Sequence, residues 1–515
     1  MFLKSLKGHS DFLKKIPLSW FFIAIAMSLI LFLLLFINFS FILRYFPINK
    51  PHIDFSSHMT RIHFMRTYGF NKVPNWYNGF YPFKAYYFAY YIFALPFYIV
   101  SNSLNITIFV SVILIYLFSF IGCLFFSKIK NGLDKRRSIV FFILFFFNPV
   151  MLFDSLNLGR LPELLGWMVF LFQTVLVFYY KNKRIGFRFI IGYSILTAML
   201  ILSETMIYFL SLALLFGLFL IKNLKERIKI VLSFLISLSL TSIWWMPIIE
   251  KNYSQIESFY GVRYLKETFI SPNSLLFLLK NWYHDLAVIA FLFAVFCLIN
   301  YSKDSVKNYL FFAPSLLLSI LYLFKITYFI PIISITYHLI FVYFFWFLFL
   351  YIILTIDISS LTLKLRSVIL FFLYHSYIPL IFYLLFFANI RSFAYDNFDK
   401  QIIQLSDSID KKFVVVPNPK YANLYYPSIV SYITFKTNAT TSMGWVDQNA
   451  NDSVRKLNTK IIRIVQQNDC NKIKNLFRDE EIKYILTFGE YCDNLLKCDF
   501  VIKRKTEDCC VLEFY

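Results

Sequence analysis

A chain of 515 residues that is 59% hydrophobic, 21% aromatic and only 16% charged carries too much apolar surface for one soluble core. Its net charge of +22 would suit nucleic acid in a soluble protein. Residues 391–515 hold 18 Lys+Arg against 16 Asp+Glu, so nearly all the excess sits elsewhere, in short clusters between apolar runs. That is the positive-inside pattern of a polytopic α-helical membrane protein, not a basic groove, and a nucleic-acid partner is set aside.

Lys4, Lys7, Lys14 and Lys15 precede an apolar run over about 17–43. The run is too long for a signal-peptide core and lacks a small-residue cleavage pattern. It reads as an uncleaved first span with the N-terminus in the cytoplasm.

The stretch DFSSHMTRIHFMRTYG, 54–69, follows. In a helix, Asp54, His58 and Arg61 stand at i, i+4 and i+7 and share one face, within about 60° of arc. Phe55, Met59 and Ile62 share another, suited to the bilayer surface. The carboxylate can take a proton from an acceptor hydroxyl or hold a divalent metal. The imidazole can shuttle protons or ligate a metal. The guanidinium can grip a phosphate bidentately. The plainer reading is an interfacial helix whose charges face headgroups.

Two apolar stretches come next, roughly 84–100 and 104–127, before the basic cluster Lys128, Lys130, Lys135, Arg136 and Arg137. Only one can cross if that cluster is cytoplasmic. The first is Tyr-rich and contains Pro96, so it reads as an outer-face interfacial or re-entrant helix, and 104–127 as the second span. Further spans fall at about 138–155, 162–180, 187–203, 205–222, 228–249, 284–300, 308–325, 337–356 and 367–388. That makes about eleven spans, with the C-terminus outside and the clusters at 181–188, 222–229, 303–307 and 364–366 inside.

On this topology eight of the thirteen acids in 1–390 lie on the outer side: Asp54, Asp154, Glu163, Glu204, Glu250, Glu257, Glu267 and Asp285. Several stand at span ends, where an ionisable group is costly and is a functional candidate by default. The run DSLNLGRLPELLGW, 154–167, pairs Asp154 and Glu163 with Arg160 beside Gly159. Pro162 and Glu163 also suit a helix start, which is reason enough for Glu163 but not for Arg160. Glu204 sits at a hinge between spans, where Ser203 and Glu204 suit a helix start. Trp244, Pro247 and Glu250 mark a further outer interface, and His284 and His338 open later spans. His338 reads first as a satisfied interfacial histidine, with a phosphate or metal role as the alternative.

Residues 391–515 alternate helix-like stretches (394–411, 451–467) with strand-like ones (413–416, 482–488, 500–505, 510–515). This reads as a small α/β extracytoplasmic domain following a transmembrane domain over 1–390, whose first outer loop is 44–103. It holds five of the seven cysteines, Cys470, Cys492, Cys498, Cys509 and Cys510. An oxidising compartment permits one or two disulfides there, and free thiols are the alternative. Sequons at Asn252, Asn438 and Asn451 fall on the same side.

The order of these parts resembles the GT-C superfamily of membrane glycosyltransferases: an N-in first span, an acid-bearing juxtamembrane helix, an interfacial helix and a second acid-bearing outer loop. The spacing D-x3-H-x2-R, then P-x-W, G and Y-P (Asp54, His58, Arg61, Pro74, Trp76, Gly79, Tyr81, Pro82), with GRLPE at 159–163, is similar to a prokaryotic group labelled 6-pyruvoyl-tetrahydropterin synthase-related membrane proteins. The resemblance covers roughly 15–390. It implies transfer of a sugar from a polyprenyl-phosphate donor at the outer face, with membrane lipids as surroundings. Asp54 becomes the leading catalytic base or metal ligand, with Asp154 or Glu163 as the second acid. His58, Arg61, Arg160, Glu204 and His338 become candidates for holding the donor and its phosphate. A divalent metal cofactor stays open, with Asp54, His58 and Asp154 as candidate ligands. The second loop has no tight D-x-D, and 443–449 (MGWVDQN) is not the WWDYG-like motif of peptide N-glycosylation. A transporter or flippase of a lipid-linked or anionic substrate is the alternative, as is a non-catalytic envelope assembly protein. Transport would place charges mid-span, where this chain has almost none.

Overall fold

The computed structural model describes residues 39–48, 53–81, 87–129, 132–250, 274–301, 305–324, 326–330, 338–356, 362–382, 395–418, 426–444 and 452–515, with scattered positions between 26 and 36. Most of the expected first span, the N-terminal lysines, Pro82, Lys130, Asn252, Glu257, Glu267, Lys303 and Asn451 lie outside these residues. So do the side chains of Asp154, Glu250, His284 and His338.

In chain order the helices are α1 (Ile53–Tyr68), α2 (Ala89–Ser101), α3 (Leu104–Phe125), α4 (Lys135–Phe146), α5 (Leu161–Lys181), α6 (Phe187–Ser203), α7 (Thr205–Ile221), α8 (Leu224–Leu240), α9 (Ser242–Glu250), α10 (Ser274–Tyr301), α11 (Ser305–Leu323), α12 (His338–Thr355) and α13 (Leu363–Phe382). A mixed segment then runs α14 (Asn397–Ser406), β1 (Phe413–Val415), α15 (Tyr426–Thr437), α16 (Asp452–Gln466), α17 (Cys470–Asp479), β2 (Tyr484–Phe488), α18 (Glu490–Leu496), β3 (Val501–Lys505) and β4 (Cys509–Glu513). The chain forms two compact units. A helical bundle takes 1–37, 113–152 and 162–389; a mixed unit takes 38–112, 153–161 and 390–515.

The bundle is a membrane-type helical fold. Among the described residues, 104–128, 161–181 and 305–323 are each long and apolar enough to cross a membrane, and α6 and α7 are shorter apolar helices. Interlocked rings of Phe141, Phe145, Trp167, Phe170 and Phe347 pack its interior. α7 meets α11 at Gly217, where a Cβ would come 1.8 Å from the Phe311 carbonyl oxygen. Only hydrogen fits there. Basic residues gather at one end. Lys222 Nζ donates to the Lys183 carbonyl at 2.6 Å, Lys229 Nζ to the Ile185 carbonyl at 3.0 Å, and Lys307 Nζ to Asn182 at 2.8 Å.

The span expected over 138–155 is interrupted. α4 stops at Phe146, a short turn Pro149–Leu152 follows, and a wider π-type turn covers Phe153–Leu158. Pro149 has no N–H to donate, and its ring disfavours helical backbone at Asn148.

In the mixed unit, β1, β2 and β4 are apolar runs buried along their length. The sheet order is β1-β2-β4-β3, with β1 and β2 parallel and the other pairs antiparallel. The parallel pair needs a long crossover, and α15 to α17 supply it. β3 is an exposed edge whose Lys503, Arg504 and Lys505 discourage further strand pairing. Cys470 bonds Cys498 and Cys492 bonds Cys510, while Cys123, Cys297 and Cys509 are free and buried.

The sheet's free side continues into the first loop. The Phe413 amide donates to the Thr440 carbonyl at 3.0 Å. The Thr441 amide donates to Asn75, and the Asn78 and Tyr77 amides donate to Thr441 and Met443. The loop turns through left-handed backbone at Tyr77, Asn78 and Gly79 (φ 54°, 57° and 99°). Trp76, wholly buried, donates Nε1 to Thr434 Oγ1 at 3.0 Å.

Candidate functional site

α1 is helical, the condition under which Asp54, His58 and Arg61 share a face, and residues 55–62 are all buried within the protein. Phe55, Met59 and Ile62, expected on the bilayer surface, are 0% exposed. The reason is partner helices. Ser56, Ser57 and Thr60 are small, and α15 lies against α1 with the Thr60 hydroxyl donating to the Ser431 carbonyl at 3.1 Å. α2 covers α1 as well, through Tyr90, Tyr91, Ala94 and Tyr98. The opposite side of α2 exposes Ile92, Pro96, Ile99 and Val100, an apolar stripe of the kind an interfacial helix needs.

Asp54 occupies the first turn of α1 and is half-buried. One turn on, His58 is 2% exposed and Arg61 1%. His58 Nδ1 lies 2.8 Å from the Tyr91 hydroxyl, and Arg61 Nη1 donates to that hydroxyl at 3.5 Å. The Arg61 guanidinium also stands 6.0 Å from the Trp76 ring centre. Burial first, and the Arg61 charge second, hold the His58 pKa down to about 3, so the ring is neutral. A hydrogen bond to the Gly159 backbone pulls the other way.

Gly159 is therefore central. Its φ is +79°, and a Cβ would lie 2.9 Å from both the Phe55 amide nitrogen and its ring. Glycine alone satisfies both demands. It brings the backbone of the second polar cluster, which continues with half-buried Arg160, against Phe55 in the first turn of α1. The Asp154 backbone lies in the π-type turn of the same unit.

The other candidates belong to the bundle. Glu163, in the first turn of α5, is 6% exposed and accepts from Trp167 Nε1 at 3.3 Å. Glu204 caps α7, accepting from the Met206 amide at 3.5 Å. Its Cβ packs where a side chain on Gly166 would go, one turn along α5 from Glu163. His338 is the first residue of α12. Among the described residues, no group of three His, Cys, Asp or Glu side chains is placed to hold a metal ion. Tyr91 and Trp76 are the site residues to which sequence reasoning gives no role. Tyr91 could be found from its spacing with Ala94 and Tyr98, which puts all three on one helix face.

No protein-family model and no curated protein sequence matches this chain. Among solved structures it is similar to a cryo-EM structure of the arabinofuranosyltransferase AftD from Mycobacteria, in a mutant form, with TM-score 0.50 and 13% identity over 92% of this chain. The chain spans 37% of that structure's length. A second AftD structure gives TM-score 0.47, 12% identity and 92% coverage of this chain, and the chain spans 35% of it. At such identity the likeness is one of fold. It agrees with the helical membrane fold expected above and does not reach the narrower prokaryotic group.

Proposed function

We propose that this protein is an integral-membrane glycosyltransferase of GT-C type, moving a sugar from a polyprenyl-phosphate donor to an acceptor at the outer face of the membrane. One observation carries the reading. Gly159, next to Arg160, packs against Phe55 in the first turn of α1, the neighbour in sequence of Asp54. The fold likeness to a membrane glycosyltransferase supports it.

In this reading Asp54 takes the proton of the acceptor hydroxyl as that oxygen attacks the anomeric carbon. The carbon–oxygen bond to phosphate breaks, and polyprenyl phosphate leaves with the electron pair. Arg160 offsets its charge. His58 and Arg61, buried on the same helix as Asp54, remain proposals for holding the donor and its phosphate, and His58 for a divalent metal. Asp154, Glu163, Glu204 and His338 remain proposals for holding donor or acceptor, and Asp54 with Asp154 for a divalent metal. About eleven spans, an inner N-terminus and an outer mixed unit complete the picture. Two disulfides in the mixed unit and the basic end of the bundle support that sidedness.

The test compares cells lacking the protein with cells restored by the parent or by Asp54→Asn at equal membrane abundance. The expected result is a missing surface sugar, and build-up of its lipid-linked donor, in both the deletion and Asp54→Asn. A deletion phenotype fully corrected by Asp54→Asn removes Asp54 from the chemistry.

A further inference from the structure

α2 turns one side to α1 and leaves the other open. Its exposed residues Ile92, Pro96, Ile99 and Val100 recur at i, i+4, i+7 and i+8, so they form one stripe. Ile99 is 58% exposed and Val100 88%. Just past the stripe, the left-handed backbone of Asn102 (φ 50°) leads the chain into α3 at Leu104. Residues 104–128 are long and apolar enough to cross a membrane, and a spanning helix starts at the membrane surface. The end of α2 is therefore at that surface too.

Positive charge gathers at the same place. Arg66, exposed on the last turn of α1, donates Nη1 to Asn102 Oδ1 at 2.5 Å, and its guanidinium carbon stands 4.9 Å from the Tyr98 ring centre. Arg44 is exposed on a turn that Asn105 of α3 holds, through Nδ2 bonds to the Ile42 and Tyr45 carbonyls at 2.6 and 3.0 Å. Residues 55–112 contain no Asp or Glu. An apolar stripe with a cationic, acid-free margin matches a layer of phosphates over hydrocarbon.

We propose that the open side of α2 rests on the phospholipid surface of the membrane, its stripe in the acyl boundary, with Arg66 holding a lipid headgroup phosphate. A guanidinium meets phosphate oxygens through two parallel N–H bonds, and Asn102 and Tyr98 fix its plane. A re-entrant helix would be covered on all sides, whereas α2 is covered on one. Lipid contact here does not depend on sugar transfer, so the test uses no turnover.

The seven native cysteines are disulfide-bonded or buried, so an introduced thiol takes the label. Ile99→Cys and Val100→Cys in the full-length protein receive a nitroxide. Leu117→Cys on α3 and Ile502→Cys on β3, both exposed, are the hydrocarbon and water references. Each protein is reconstituted in phosphatidylglycerol vesicles and in phosphate-free digalactosyl diacylglycerol vesicles. Collision with oxygen, which concentrates in hydrocarbon, is compared with collision with a water-soluble nickel chelate.

The expected result is that 99 and 100 favour oxygen and are shielded from nickel in both lipids, as at 117 and unlike 502. In phosphatidylglycerol, Arg66→Gln raises nickel collision at 100 by up to about fivefold, the weight of one arginine at an anionic surface, and Arg66→Lys stays within about twofold of the parent. In the galactolipid, Arg66→Gln changes nothing. Nickel collision at 99 and 100 equal to that at 502 overturns lipid contact. Disulfide-linked dimers of Val100→Cys overturn it as well, since a second copy then covers the stripe. An Arg66→Gln effect that is absent in phosphatidylglycerol, or equal in both lipids, overturns the phosphate contact. Shielding in the galactolipid that appears only when polyprenyl phosphate is added makes the face a donor site and overturns a surface for bulk phospholipid.

Discussion

His58 ties stability to pH. Its folded pKa, about 3, lies below the usual value of 6.5. Above about pH 6.5 the ring is neutral folded or unfolded and adds no pH dependence. Below that, the unfolded chain takes up a proton that the folded one refuses. Stability is then lost at up to about 1.4 kcal/mol per pH unit as pH falls toward 3. Thermal melts of the detergent-solubilised protein at pH 7, 6 and 5 are expected to fall, and to fall less in His58→Gln. Identical slopes in the two proteins would contradict a buried neutral ring. Gly159→Ala makes a second case at this scale. Its φ of +79° and the contact with Phe55 together predict a loss of about 1–3 kcal/mol, seen as a lower melting point and lower activity. The helical phase of Asp54, His58 and Arg61 is legible in the sequence, because a 3.6-residue period leaves no other arrangement. Their burial is not. An apolar face looks the same whether lipid or another helix covers it. Here the cover is α15, whose Ser431 meets Thr60 across 371 positions of sequence, beyond the reach of any local pattern.

At the scale of elements, the strands are the readable part of the mixed unit. Short β-branched and aromatic runs at 413–416, 482–488, 500–505 and 510–515 match β1 to β4 to within a residue or two. α15 is not readable. Its sequence, YPSIVSYITFKT, has the composition of a strand, and packing against α1 through Ser431 and against Trp76 of the first loop through Thr434 makes it a helix. The pairing of 75–78 with 441–443 is equally hidden, because it depends on left-handed backbone at Tyr77 and Asn78, where the sequence shows only one glycine. The packing around α15 predicts a graded series. Trp76→Phe loses the bond to Thr434 and costs about 1 kcal/mol, while Trp76→Ala also empties a buried site and costs about 3–5 kcal/mol. Melting points in the order parent, Phe, Ala check it, and equal values for Phe and Ala would contradict it. In the bundle, Gly217→Ala drives a methyl into the Phe311 carbonyl and is expected to lower the yield of folded protein.

For the whole molecule, membrane class and an α/β segment near the C-terminus follow from composition and charge placement. The joining of the first loop, the 153–161 segment and the C-terminal segment in one compact unit does not, since it rests on long-range contacts. The two disulfides close loops of sequence separation 28 and 18. By loop-closure entropy each contributes about 3 kcal/mol, so a reductant is expected to lower the melting point of the mixed unit. Peptide mapping without reduction is expected to recover the pairs Cys470–Cys498 and Cys492–Cys510, and other pairings would contradict the fold of this unit.

The most direct measurement is bond cleavage in a defined system. Lipid extract from cells lacking the protein, in which a transferase's donor accumulates, is incorporated into vesicles with purified parent protein or Asp54→Asn. Free polyprenyl phosphate is expected to be released by the parent when acceptor is supplied, and at least about 100-fold more slowly by Asp54→Asn. Donor that crosses the bilayer intact, or release at equal rates with both proteins, would contradict a transferase that uses Asp54 as its base.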